Sequence, residues 1–187
     1  QNGLETERLA LRFFANVVGV YLYVYHAHLS PGVVDCHTAP LPGVIDVGRY
    51  PEGIDERSEV LAAALRDAGF DSEARDDIMA WKRGKLVMNT GNAIGAICAT
   101  PAALNDLRDR AQEEAFACYE AAALPYLKPA RLIVRGKAVG VPTLVAGRPF
   151  PNGSTAQSLA RGAAAAEGDY LNGEIVRLGR AHGVATP

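Results

Sequence analysis

The strand-forming pattern of this chain ends at about residue 76, and the sequence beyond that point has the spacing of helices. Before it, runs of β-branched and aromatic residues alternate with turn-forming Pro and Gly. After it, apolar residues recur at intervals of three and four. We therefore predict an α/β part over residues 1–76, followed by an all-α domain over residues 77–187.

The first part is predicted to contain two helices and three extended segments. Residues 5–14 carry helix formers, and the run VVGVYLYVY over residues 17–25 predicts a strand. Residues 32–36 and 44–47 lie on either side of the turn-forming PLPG and are predicted to pair as a hairpin. Residues 56–68 follow the candidate N-cap Asp55 and end before Gly69, which predicts an amphipathic helix.

The second part is predicted to be a series of helices. Their expected bounds are residues 77–99, 101–123, 155–165 and 166–181. The intervening residues 124–153 are rich in Pro and Gly, which predicts a loop with one short helix at residues 129–134.

Charge and cysteine content argue against several classes of protein. A net charge of -2 with both signs interspersed provides no basic stripe, so nucleic acid is not expected as a partner. The longest apolar run, residues 17–25, is about half the length that a membrane-spanning helix needs, so no membrane partner is expected. The three cysteines show no CxxC spacing, which argues against a disulfide scaffold and indicates a cytoplasmic protein.

A polar stripe runs along the first helix of the second part. Lys85, Asn89 and Asn92 have the spacing i, i+4, i+7 and therefore share one face. The rest of that helix is apolar, so it is predicted to be buried, and its lysine and amides then need partners. Spacing alone leaves two interpretations open: a structural polar network with a lysine that extends to the surface, or a binding site.

Two further groups of polar residues lie near the C-terminus. Glu167 lies in the first turn of the last predicted helix, where its charge would compensate the helix dipole. Ser154 and Thr155 come at the start of a helix, where a hydroxyl commonly caps free backbone amides. His26 and His28 alternate along one strand, but without H-E-x-x-H or paired CxxC elements they predict no metal site.

Three motifs, taken in order, resemble the ketopantoate reductase family. They are QNGL at residues 1–4, WKRGKLVMN at residues 81–89, and EGDYLNG at residues 167–173 with HGV at residues 182–184. Members of this family reduce 2-dehydropantoate with NADPH in pantothenate biosynthesis. The resemblance implies that residues 1–76 are the C-terminal part of a Rossmann-type NADP-binding domain. It also implies that residues 77–187 are a helical domain resembling the C-terminal domain of 6-phosphogluconate dehydrogenase.

The resemblance also assigns roles to residues of this chain. Lys85 would give a proton or a strong hydrogen bond to the ketone oxygen of a small 2-keto acid, and Glu167 would engage a substrate hydroxyl. Asn2 would lie beside the nicotinamide of NADPH. The substrate's polar groups would be held by Asn89, Asn92 and a hydroxyl from Ser154 or Thr155.

A second hypothesis comes from the N-terminal unit that family members have before the position corresponding to Gln1. Their glycine-rich βαβ unit, which holds the cofactor pyrophosphate, has no counterpart in this sequence. We therefore expect the chain to be N-terminally incomplete and to have little activity alone. The alternative is a non-catalytic truncated helical module with a structural or dimerising role, and a homodimer is compatible with both hypotheses.

Overall fold

The computed structural model describes residues 2–97, 101–151, 153–163 and 167–187. Within these ranges it has four strands: β1 Val18–Val24, β2 His26–Ala27, β3 Asp35–Cys36 and β4 Gly43–Arg49. The α-helices are α1 Thr6–Ala10, α2 Glu56–Asp67, α3 Ile78–Asn89, α4 Gly91–Ile97, α5 Pro101–Ala121, α6 Pro129–Gly136, α7 Ser154–Ala160 and α8 Asn172–His182. Two 3-10 turns lie at Lys137–Val139 and Glu167–Tyr170.

The strand β4 lies between two neighbours. On one side it pairs antiparallel with β1 over all seven residues, with Val20 opposite Val47. On the other side residues 71–75 run parallel to it, and the amide of Ile45 donates to the carbonyl of Asp71 at 2.9 Å. The predicted hairpin between residues 32–36 and 44–47 is therefore wrong, and Asp35–Cys36 pairs with His26–Ala27 instead. The longer apolar β1 offers β4 more paired backbone and more buried area than the short exposed segment does.

Several predicted helices are confirmed. The Asp55 side chain accepts a hydrogen bond from the Ser58 amide at 2.9 Å, so α2 has the expected cap. The short helix in the Pro- and Gly-rich loop is present as α6. The first helix, α1, is only five residues long and is shorter than predicted. Of the predicted helical positions, 98–100 and 164–166 lie outside the described residues.

The long helix predicted over residues 77–99 is interrupted at Thr90, which separates α3 from α4. The Thr90 hydroxyl donates to the Val87 carbonyl at 2.7 Å. The Asn172 side chain donates to the Thr90 carbonyl at 3.0 Å, so that carbonyl has a partner from α8 rather than from the next helical turn. The interruption thus depends on a residue 82 positions away, which local periodicity does not reveal.

Helix α3 joins the two hydrophobic clusters of the molecule. Its first half packs in one cluster with Tyr21 and Val44 of the sheet, and its second half packs in the other with Tyr119 and Ile175 of the helices. The prediction that this helix is buried is confirmed. The chain is mostly helical beyond residue 77, as expected for the second part, while the assignment of the first part to a Rossmann-type domain stays a prediction. Among the described helices, none has the length and apolar character that spanning a membrane requires.

A buried ion network ties the sheet to α6. Asp46 on β4 is fully buried and accepts from Arg75 Nε at 2.6 Å and from a terminal nitrogen of Arg135 at 2.8 Å. Arg135 comes from α6, so this carboxylate joins the two parts of the chain. The Arg75 guanidinium also lies 3.9 Å from the centre of the Trp81 ring, a cation–π contact with the first turn of α3.

Candidate functional site

A cavity of about 350 Å³ lies among β1, α3, α4 and the start of α7. This volume is in the range of small-molecule binding sites. Its polar lining residues are Asn2, His26, Lys85, Asn89, Asn92, Ser154 and Gln157. Five of the seven residues that the sequence singled out therefore share one cavity, and Thr155 and Glu167 do not line it. Another cavity, of about 290 Å³ among α4, α5 and α8, is lined by none of them among the described residues.

Lys85 is the partly buried cation of this cavity. Its ammonium group donates to the backbone carbonyl of Leu22 on β1. The pKa of Lys85 is lowered to about 8, mainly by burial and to a smaller extent by the positive charge of Lys82, while Glu167 acts in the opposite direction. A lysine with a pKa near the operating pH can give up and regain a proton readily, which suits it to general acid–base chemistry.

Three buried polar atoms of the cavity have no hydrogen-bond partner among the described residues. They are Asn2 Oδ1, Asn89 Nδ2 and Ser154 Oγ. Buried polar atoms in folded proteins nearly always have partners, so such a group points to a ligand with complementary atoms. Together with the ammonium group of Lys85, the donor Asn89 Nδ2 and the Ser154 hydroxyl suit a small anion. Asn2 Oδ1 is an acceptor and suits a hydrogen-bond donor of a ligand.

The helices α4 and α7 bring Asn92 and Ser154 together. A Cβ atom at Gly153 would lie 3.5 Å from the Asn92 side chain, so the chain passes close to that amide. Gln157 fixes the other side of α7, since its side chain accepts from the His28 amide at 3.3 Å and donates to the His26 carbonyl at 3.4 Å. The start of α7 is thereby placed against both α4 and β2.

The capping interpretation of the two hydroxyls at α7 is wrong. Gly153 occupies the N-cap position, where the notional capping hydroxyl of Ser154 or Thr155 would have to lie. Ser154 lines the cavity, whereas Thr155 is buried outside its lining. Neither hydroxyl has a partner among the described residues. The role of each in binding a substrate stays a prediction.

Glu167 lies at the edge of the site rather than in it. It begins a 3-10 turn, is exposed to solvent, and does not line the cavity. The dipole interpretation is wrong because α8 starts at Asn172, and the acidic residue in its first turn is Glu174. The charge of Glu167 nevertheless raises the pKa of Lys85, so the two groups are electrostatically linked.

The apolar side of the cavity was not anticipated from the sequence. Tyr23, Tyr25, Met88 and Phe150 are among its lining residues. The alternation of tyrosines at positions 21, 23 and 25 was a signal, because alternate residues of a strand point to the same face. Phe150 follows a loop, and no local pattern connects it with β1.

A buried ion pair beside Lys85 was also missed. Lys82 on α3 bonds Glu7 on α1, and both side chains are almost fully buried. The pair fastens α1 to α3 next to the cavity and keeps a second positive charge close to Lys85. In sequence, Lys82 looks like an ordinary surface lysine of an amphipathic helix, so only its surroundings distinguish it.

In the part of the chain that the structure describes, no group of three or more His, Cys, Asp or Glu residues is arranged to hold a metal ion. His26 Nε2 lies 3.0 Å from the Pro42 carbonyl and 3.3 Å from Cys36 Sγ. His37 Nδ1 lies 2.8 Å from the Thr143 carbonyl. These histidines connect loops to the strands.

Comparison with known proteins finds relatives both among curated proteins and among solved structures. The 2-dehydropantoate 2-reductase of Pyrococcus horikoshii is 30% identical over 98 residues, which are 52% of this chain and 32% of that protein. The crystal structure of a PanE/ApbA family ketopantoate reductase from Ralstonia eutropha JMP134 matches with a TM-score of 0.74 at 28% identity. That match covers 99% of this chain and 60% of the other.

A second solved structure extends the comparison. D-Mandelate dehydrogenase, in a ternary structure with NADH and anilino(oxo)acetate, matches with a TM-score of 0.74 at 22% identity. That match covers all of this chain and 61% of the other. The chain thus spans about a third of the curated relative and about three fifths of these solved structures.

The family-level match is the decisive one. A sequence profile described as "Ketopantoate reductase PanE/ApbA C terminal" matches residues 77–187, which are more than half of the chain. These residues supply Lys85, Asn89, Asn92 and Ser154 to the cavity. The chain belongs to the ketopantoate reductase family.

Proposed function

We propose that this chain carries the substrate half of an NADPH-dependent reductase that converts 2-dehydropantoate or a similar 2-keto acid to the 2-hydroxy acid. The observation that carries the proposal is the cavity in which Lys85, with a pKa of about 8, lies beside buried amide and hydroxyl atoms that lack partners among the described residues. A 2-keto acid needs such a set: donors for its carboxylate and a proton for its ketone oxygen.

Different residues of the cavity would bind the substrate carboxylate and protonate the ketone oxygen. Asn89 Nδ2 and Ser154 Oγ are the donors available to the substrate carboxylate. The bond from Lys85 to the Leu22 carbonyl holds the ammonium group at the wall formed by β1. As hydride reaches the carbonyl carbon, Lys85 gives a proton to the carbonyl oxygen, becomes neutral, and recovers a proton from solvent. Burial favours this transfer because it makes the neutral amine less costly.

The cofactor would contact this chain at Asn2. Its Oδ1 is buried, has no partner among the described residues, and faces a cavity that also contains Lys85, so an amide-bearing ring fits there. The reduced nicotinamide supplies the hydride when bound. Since the related D-mandelate dehydrogenase was solved with NADH, NADPH and NADH should both be assayed.

The proposal is tested with the full natural polypeptide that contains residues 1–187. NADPH oxidation with 2-dehydropantoate and other 2-keto acids is expected, and Lys85→Ala should reduce kcat/KM by roughly a hundredfold to ten-thousandfold. Lys137→Ala, at an exposed position, is the matched control. Activity that survives Lys85→Ala would overturn the role of that lysine. No activity with any 2-keto acid and either cofactor would favour the non-catalytic module.

The pH profile adds an independent measurement. If protonated Lys85 is the donor, kcat/KM should be high below pH 8 and fall as the pH rises through about 8. Glu167→Gln removes a charge that raises this pKa, so the fall should move to lower pH. An unchanged profile in Glu167→Gln would contradict the link between the two residues.

A further inference from the structure

The lining of the cavity contains two chemically different groups of side chains, called here its polar side and its aromatic side. The polar side has the ammonium, amide and hydroxyl groups of Lys85, Asn89 and Ser154, and the aromatic side has the rings of Tyr23, Tyr25 and Phe150. Building on the proposed function, we propose that the substrate is a 2-keto acid with an aromatic side chain on its keto carbon. The polar side would hold the carboxylate and the ketone, and the aromatic side would receive the ring.

The three aromatic rings form one connected group. Tyr25 meets Tyr23 with ring centres 5.7 Å apart at 90°, and it meets Phe150 at 5.3 Å and 88°. Both contacts have the edge-to-face geometry that aromatic rings prefer. A substrate ring that joins this group can make the same kind of contact with the lining.

The aromatic side is held in place by the surrounding structure. A Cβ atom at Gly136 would lie 2.5 Å from the Tyr23 ring, so that ring packs directly against the backbone of α6. Phe150 is in turn held by His37, whose ring centre is 5.4 Å away. Rings that are already fixed lose little conformational entropy when a ligand binds, which favours binding of a rigid aromatic group.

The aromatic side offers few groups that could bind a hydroxyl of the substrate side chain. The hydroxyls of Tyr23 and Tyr25 lie 3.1 Å apart and bond each other. No carboxylate is among the described lining residues, and Glu167 is exposed outside them. Met88 of α3 also lines the cavity, and thioethers contact aromatic rings favourably. These features favour an apolar ring over the hydroxylated side chain of 2-dehydropantoate.

The test compares phenylglyoxylate with 2-dehydropantoate as substrates of the same full natural polypeptide that tests the proposed function. We expect a higher kcat/KM for phenylglyoxylate. Phe150→Leu should lower that value by roughly twofold to tenfold, the range that an aromatic pair contributes, and change the value for 2-dehydropantoate little. Tyr25→Leu should act in the same direction. Because each variant is compared on two substrates, partial loss of folded protein cancels in the ratio.

Phe116→Leu is the matched control. Phe116 stacks on Tyr126 away from the cavity, so its substitution should leave the ratio of the two substrates unchanged. A preference for 2-dehydropantoate, or equal losses on both substrates in Phe150→Leu and Tyr25→Leu, would overturn the aromatic proposal while leaving 2-keto acid reduction in place. Failure to reduce either substrate would overturn both proposals.

Discussion

Replacing Lys85 with methionine should change the stability of this chain in a pH-dependent way. The side chain of methionine has similar length, is uncharged, and suits the apolar surroundings of α3. In the folded chain the pKa of Lys85 is about 8, against 10.5 for an unperturbed lysine. Between these two values the unfolded chain binds the proton and the folded chain does not, so the stability of the wild type rises with pH across this window.

The magnitude follows from the two pKa values. At pH 7 the difference between these two pKa values costs the folded wild type about 3 kcal/mol. At pH 10 the same linkage leaves a cost of about 1 kcal/mol. Lys85→Met has no such cost. The free energy of unfolding of the variant, relative to the wild type, should therefore fall by about 2–3 kcal/mol between pH 7 and pH 10.

Urea denaturation followed by circular dichroism at several pH values measures this difference. Effects of the substitution that do not depend on pH, such as changes in apolar packing, cancel between the two ends of the range. Lys137→Met replaces an exposed lysine and serves as the control. A difference between Lys85→Met and the wild type that stays constant from pH 7 to pH 10 would refute the claim that burial depresses this pKa.

Two further substitutions test the packing that positions the cavity. Asp46→Ala leaves Arg75 and Arg135 without the buried carboxylate that they share, so the free energy of unfolding in urea should fall by about 3–5 kcal/mol. Asp106→Ala removes one partner of an exposed pair and should change that free energy by less than about 1 kcal/mol. Gly84→Ala puts a Cβ 2.3 Å from a backbone carbonyl, so it should lower the melting temperature and cost about 1–3 kcal/mol, unlike Gly95→Ala, which meets nothing closer than 3.8 Å. Equal effects within either pair would contradict the packing described.

Local sequence determined the elements whose stability is local. The cap Asp55 and the spacing of apolar residues sufficed for α2, and the β-branched and aromatic run sufficed for β1. The polar stripe of Lys85, Asn89 and Asn92 could also be predicted from the sequence, because residues spaced by one or two helical turns share a face whatever they pack against. All three line the same cavity even though Thr90 interrupts the helix between them.

Only the tertiary structure decided what these elements contact. The partner of β4, the end of α3 and the aromatic side of the cavity each depend on residues far apart in sequence, such as Asn172 with Thr90 and Phe150 with Tyr25. Hydrogen bonds and ring contacts between distant segments leave no periodic trace in either segment. Sequence motifs indicated the family and the polar half of the site, whereas the apolar half, which bears on the substrate side chain, emerges only when β1, α3 and the loop before α7 are brought together.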